Sequence, residues 1–189
     1  MTYNQPFMKR IDENPPARYP QRPIDQANAL WWVAKIKPRQ EKAIAFDFIS
    51  RAIEYYLPLI TKVTRRKDNN KPRKSIVPLF SGYISFNAKK ESLRDVLTTG
   101  RAVNIIEIRH QKHFIEELTQ IYNALEQGIV LEPCVEAYAE GTLVCVQSGP
   151  LRGIKGVISK VHNQNKLILS VEGLGQAAIA VDAASVKPV

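Results

Sequence analysis

Glycine and turn residues punctuate residues 141–175, GTLVCVQSGPLRGIKGVISKVHNQNKLILSVEGLG, so closely that only short elements fit between them. One apolar run ends at Ser148-Gly149-Pro150. Gly153 and Gly156 precede a second, and a third, Leu167 to Val171, ends at Gly173 and Gly175. Glycine reaches positive φ at low cost and admits close backbone approach, as the tight turns of a small barrel require. Val144/Val146, Val157/Ser159/Val161 and Leu167/Leu169/Val171 alternate as half-buried strands do. A helix here would carry an interior-glycine penalty of about 1 kcal/mol per residue and about 3 kcal/mol for Pro150. About 49 residues from Gly141 therefore fit a five-stranded SH3-like barrel, whose closure limits exposed edges.

The segment before it has a different rhythm. Leu30 to Ile36 reads as a strand ended by Pro38, and Ile44, Phe48, Ile49 and Ile53 recur at helical spacing over 40–53. Tyr55 to Arg66 predicts a second strand, Lys67-Asp68-Asn69-Asn70-Lys71-Pro72 a turn, and Ser75 to Phe86 the returning strand or pair of strands. Ser92 is a candidate N-cap for a short helix to Thr98, and Val103 to Ile108 predicts another strand. Phe114, Ile115, Leu118, Ile121, Tyr122 and Leu125 form one helical stripe stopped by Gly128. Intermingled strands and helices predict an α+β fold, with helices packed on an antiparallel sheet in a two-layer sandwich, followed by the barrel. The expected organisation is a disordered or loosely docked extension over 1–29, a first domain over 30–127, a linker over 128–140 and the barrel over 141–189. The extension holds five prolines by residue 28 and few large apolar residues.

The net charge of +9 is uneven. Residues 30–133 carry eighteen Lys/Arg against eleven Asp/Glu, whereas each flank is at +1. A basic middle segment favours polyanions, chiefly nucleic acid, with a merely solvated surface as the competing reading. Two cysteines, Cys134 and Cys145, make no disulfide framework. No apolar run approaches transmembrane length and no signal-peptide core opens the chain, so a cytoplasmic, membrane-free monomer is expected. Nothing resembles a catalytic constellation. Gly149, Gly153 and Gly156 lack the Lys-Ser/Thr of a phosphate-binding loop, and His110 and His113 lack companion ligands. No enzyme activity, cofactor or metal is expected.

The 141–175 stretch resembles a KOW module, shared by NusG-type transcription factors and some ribosomal proteins. Three further motifs narrow the choice. Leu30-Trp31-Trp32-Val33 resembles the opening Trp-Tyr strand of a NusG N-terminal (NGN) domain, and Pro78-Leu79-Phe80-Ser81-Gly82-Tyr83-Ile84 its Pro-Leu-Phe-Pro-Gly-Tyr segment. Thr98-Thr99-Gly100-Arg101-Ala102-Val103 resembles its Thr-x-Gly-Val turn. All three stand in family order ahead of a helix, a linker and the KOW unit. Ser81 in place of proline, Ala102 in place of glycine, the proline-rich extension and the basic 62–74 stretch make the chain look like a specialised RfaH- or UpxY-like paralogue.

The resemblance implies a transcription elongation or antitermination factor. Its N-terminal domain would bind the clamp coiled coil of the RNA polymerase largest subunit through an apolar trough, for which the matching positions are Trp32, Phe80, Tyr83 and Ile84. Because adjacent strand residues face opposite ways, one of Trp31 and Trp32 is expected in the core and the other in the trough. Core packing is the competing reading for each aromatic. By position, Lys37, Arg39, Gln40, Lys42 and Arg101 would face the non-template DNA strand. The KOW unit would recruit the termination factor Rho or a small-subunit ribosomal protein through Leu151, Ile154 and Leu174, with closure of the barrel ends as the alternative. The trough is expected open. A housekeeping NusG promoting Rho-dependent termination, or an RNA-binding KOW protein of translation, are the other readings. The near-neutral KOW unit weighs against the latter.

Overall fold

In the computed structural model, residues 14–134, 141–161, 164–181 and 185–189 are described, without the side chains of 160, 161, 164 and 165. The first sheet has the order β1-β3-β6-β2-β7, all antiparallel. Its strands are β1 (Arg18–Tyr19), β3 (Glu54–Tyr56), β6 (Tyr83–Ala88), β2 (Leu30–Ile36) and β7 (Ala102–Glu107). Helix α1 (Glu41–Ser50) and the short α2 (Leu93–Leu97) pack on one face, and α3 (Gln111–Glu126) on the other. Ser92 makes no capping bond, because α2 is entered from a 3-10 turn rather than from an extended residue.

Central strand β2 shows how sequence sets the layers. Successive side chains alternate, so Trp32, Ala34 and Ile36 meet Ile44 and Phe48 of α1, whereas Trp31 and Val33 join Phe114, Leu118 and Ile121 of α3. Both faces are covered, which is why the strand is apolar almost throughout. Trp31 is 1% and Trp32 4% exposed, so both tryptophans are core and the expected division between them is corrected. The predicted strand from Tyr55 to Arg66 is broken at Pro58. Its second half, β4 (Leu59–Arg65), pairs among the described residues with β5 (Pro72–Pro78) alone, in a separate ribbon.

The second sheet follows as β9 (Leu143–Val146), β10 (Lys155–Val161), β11 (Gln164–Val171), β12 (Gly175–Ala180) and β13 (Val186–Pro188). Its order, β13-β9-β10-β11-β12-β8, returns the last strand beside the first, as in an SH3-like barrel. Gly156 is required: a Cβ there would lie 2.6 Å from the Ile168 carbonyl oxygen on the neighbouring strand. Strand β8 (Glu132–Cys134) falls in the predicted linker yet pairs with β12, so this part of the linker belongs to the barrel sheet. The remaining linker residues, 135–140, lie outside the described residues.

The N-terminal extension, expected to be disordered or loosely docked, is docked where it is described. Residues 14–29 run along the sheet as a strap: β1 pairs with β3, Ile24 is buried against α3, and Arg22 forms an ion pair with Glu54 at 2.5 Å. Tyr55 Oη donates to the Pro16 carbonyl at 2.8 Å, and the Arg18 guanidinium lies 4.3 Å from the Tyr122 ring centroid. Prolines that forbid helix interior positions are compatible with this extended edge path, and Ile24 seats it with Tyr19 and Ala27 packed beside it. The predicted disorder over 1–13 lies outside the described residues.

Candidate functional site

A groove of about 1010 Å³ opens between the base of the β4–β5 ribbon, the end of β2 and the start of β6. Its floor is apolar, from Ile36, Val77, Pro78, Tyr83 and Val103, and Lys35, Arg39, Lys42 and Lys62 stand around it. The segment that resembles the family's Pro-Leu-Phe motif forms one wall. Gly82 turns the chain at φ +84°, a conformation costly for other residues. Its N–H donates to Glu41 Oε1 at 2.7 Å, and its carbonyl accepts from Ile36 N at 2.7 Å. Glu41 is 5% exposed and sits in the first turn of α1, where the helix dipole favours a carboxylate. Sequence reasoning missed Glu41 as the residue that fixes this wall. Its signal was an acidic residue at a helix start.

Of the four positions matched to the polymerase trough, only Tyr83 lines this groove, and it is half-buried. Trp32 and Ile84 pack beneath α1, with Trp32 Nε1 donating to the Ala88 carbonyl at 3.0 Å. They are core residues because the sheet face that carries them is roofed by α1. Phe80 is 5% exposed and belongs to the cluster under α3 and the barrel.

That shared cluster corrects the expectation of an open trough. The turn between β11 and β12 rests on the first sheet: a Cβ on Gly173 would lie 3.3 Å from Ile108 Cδ1 and 3.4 Å from Val33 Cγ2. One on Gly175 would lie 3.8 Å from Phe80 Cδ1. Polar contacts fasten the seat. Glu172 N donates to Glu117 Oε2 at 2.9 Å, Arg109 N to Glu172 Oε1 at 3.3 Å, and Lys155 N to Gln120 Oε1 at 2.8 Å. Burial pushes the Glu117 carboxyl above its ordinary range, against the opposing pull of the Glu172 N–H and His113. Ile154 and Leu174, expected as exposed partner contacts, are buried in this cluster, and Leu151 packs partly buried against it. Their loops fold inward over the seam instead of outward.

The cationic positions divide in two. Arg39 is exposed at φ +62° on the loop after β2, beside exposed Lys37, whose Nζ donates to the Gly100 carbonyl at 2.7 Å. Arg101 is instead a structural pin. Its Nε meets Asp47 Oδ2 at 2.6 Å and its Nη1 donates to Gln40 Oε1, tying the β7 entry to α1. Lys42 Nζ donates to Asn14 Oδ1 at 2.6 Å and to the Ile76 carbonyl at 2.5 Å. Arg101, Gln40 and Lys42 therefore each hold a partner within the chain, a role that competes with their reading as DNA contacts. His113 Nε2 lies 3.6 Å from Glu117 Oε1, and among the described residues no group of three metal-ligating side chains converges. Among the same residues, no helix is long and apolar enough to cross a membrane.

Comparison with known proteins matches residues 29–123, half the chain, to the NusG family, described as "Transcription termination factor nusG". Comparison with curated proteins returns no match. A solved structure described as "Domain interaction in Thermotoga maritima NusG" is similar at 15% identity, covering 85% of this chain and 97% of that one, with a TM-score of 0.46. The family match spans β2, the ribbon and the Phe80–Tyr83 turn, which build the groove, together with most of α3, and on it the chain belongs to the NusG family of transcription factors.

Proposed function

We propose that the chain is a specialised elongation and antitermination factor in two units. One, residues 30–127, docks on the clamp coiled coil of the RNA polymerase largest subunit. The other, the barrel over 141–189, recruits a further factor. The observation that carries this reading is the groove at Tyr83, apolar on its floor and cationic around it, built from the segment the family shares. An amphipathic helix lays its apolar face into such a groove and its acidic flank against the rim. Exposed Lys37 and Arg39 extend the rim toward the non-template strand.

The barrel's seat on Phe80, Val33 and Ile108 supports recruitment in two steps. The Tyr83 groove is open in the docked form, whereas the Phe80 side becomes available only when the barrel lifts. Pull-down of purified polymerase by full-length protein tests the reading. Tyr83→Ala is expected to abolish capture while circular dichroism stays unchanged; capture unaffected by Tyr83→Ala would overturn it. The family's description as a termination factor favours a second reading, Rho-dependent termination. Transcription run with and without Rho separates the two by the sign of the change in read-through.

A further inference from the structure

The β4–β5 ribbon belongs to neither hydrophobic cluster beyond its base. Leu59 and Ile60 pack inward, whereas every residue from Thr61 to Lys74 is exposed. This stretch holds seven cations, Lys62, Arg65, Arg66, Lys67, Lys71, Arg73 and Lys74, against one carboxylate, Asp68. Among the described residues none of the seven forms an ion pair. Like charges crowded on one ribbon repel, so the arrangement opposes stability unless a polyanion meets it.

The arm is nonetheless built. Its tip is closed by Arg66 N to the Lys71 carbonyl at 2.9 Å and Asn70 N to the Arg66 carbonyl at 3.0 Å, with Asn69 Oδ1 accepting from Lys71 N at 3.1 Å. Its base is tied to α1 through Lys42 Nζ on the Ile76 carbonyl. The pairing puts Lys62 and Arg73 on one face, with Thr64 and Ser75, and Arg65 and Lys74 on the other.

We propose that this ribbon is a double-stranded DNA arm that enters the major groove with its part beyond Lys62, outside the Tyr83 groove and the Lys37–Arg39 loop. Four features select this partner. Two strands about 4.8 Å apart fit a groove about 12 Å wide, and the free part reaches about 15–20 Å. Cations on both faces neutralise phosphate on both walls of a groove, where a flat anionic membrane would engage one face only. The ribbon from 59 to 78 carries no aromatic residue on which unstacked bases of a single strand could lie. The major groove of duplex RNA is too narrow to admit it.

The test uses full-length protein without polymerase and a blunt 30-base-pair duplex of mixed sequence, followed by fluorescence anisotropy across a salt titration. Single-stranded DNA of the same length, duplex RNA and anionic phosphatidylserine vesicles serve as competitors. Duplex DNA is expected to bind most tightly. Arg66→Gln with Arg73→Gln, or Arg65→Gln with Lys74→Gln, each lowers the log–log salt slope by about 1.8, the value for two lost phosphate contacts. Both pairs lie outside the hydrophobic clusters, and circular dichroism checks that the variants stay folded. Retained polymerase pull-down by a variant that has lost duplex binding separates the arm from the docking groove. An unchanged slope in the quadruple variant overturns the proposal. So does tighter binding to any competitor, or a loss seen only on replacing Lys37 and Arg39.

Discussion

The Glu172 N–H donates to Glu117 Oε2 at 2.9 Å, joining the barrel's β11–β12 turn to the middle of α3. The carboxyl is raised above 4.5 chiefly by burial; the Glu172 N–H and His113 lower it, and the Glu172 carboxylate raises it again. A group whose pKa is raised in the docked state takes up a proton on docking. Its charged form therefore opposes the seat above that pKa, and the opposition is relieved as pH falls through it toward 4.5. The docked population is expected to rise as acidification passes through the raised Glu117 pKa, read from the Glu172 amide and Ile108 methyl shifts. Glu117→Gln keeps an acceptor for the N–H and flattens that dependence, and a slope that persists in it would assign the titration elsewhere.

Gly173 tests the seat by bulk. Its φ of +73° penalises most side chains, and a Cβ would crowd Ile108 and Val33 at 3.3 and 3.4 Å. Asparagine tolerates the left-handed region, so Gly173→Asn separates crowding from backbone strain. It should weaken docking by about 1–3 kcal/mol, as overpacking does, while leaving the isolated barrel fragment intact. Loss of the amide shift differences between the fragment and the full chain is the expected result. Differences that persist would show that the turn does not bear the contact.

Tyr83 and Trp32 lie on the same antiparallel pair but should behave oppositely. Trp32 is 4% exposed beneath α1, so Trp32→Ala is expected to lose about 3–5 kcal/mol in urea unfolding. Tyr83 is only half-buried at the groove, so Tyr83→Ala should cost far less stability and act on polymerase capture. A Tyr83→Ala protein as unstable as Trp32→Ala would make Tyr83 a packing residue.

These two residues also mark how far the sequence could be read. Strand identity was legible on β2 because Pro38 marks its end and its interior is apolar. Which of its residues reach a partner was not, because alternation assigns two faces without saying that α1 and α3 cover both. The helix over 111–126 was legible from one apolar stripe. The barrel's strands were legible from glycine spacing, but its seat was not, since Ile154 and Leu174 look the same in sequence whether they face solvent or a seam. Arg101 and Arg39 likewise differ only through Asp47, fifty-four residues from Arg101. The strap over 14–29 was hidden because one buried isoleucine and a two-residue strand leave no periodicity.

Tyr56 carries a buried hydroxyl with no hydrogen-bond partner among the described residues. Its ring meets Tyr122 edge-on at 6.1 Å, and burial drives its pKa far upward, so the hydroxyl stays neutral. Removing an unsatisfied polar atom without leaving a large cavity is neutral or stabilising. Tyr56→Phe is therefore expected to hold or raise Tm, by up to about 1–3 kcal/mol of unfolding free energy. A fall in Tm would reveal a partner for that hydroxyl.

Arg101 and Arg39 make the last contrast. Arg101 is held by Asp47 at 2.6 Å and by Gln40, partly exposed, so Arg101→Ala should cost about 0.2–1 kcal/mol of stability. Because its guanidinium is already engaged, its loss should leave the salt slope of single-stranded DNA binding unchanged. Arg39 is exposed with no such partner in view, so Arg39→Ala should leave unfolding unchanged and lower that slope by about 0.7, one phosphate on a single strand. Urea unfolding and anisotropy on a non-template oligonucleotide read the two effects separately. A lowered slope in Arg101→Ala would mean that the Asp47 pairing opens to admit DNA. An unchanged slope in Arg39→Ala would remove the loop after β2 from the nucleic-acid surface.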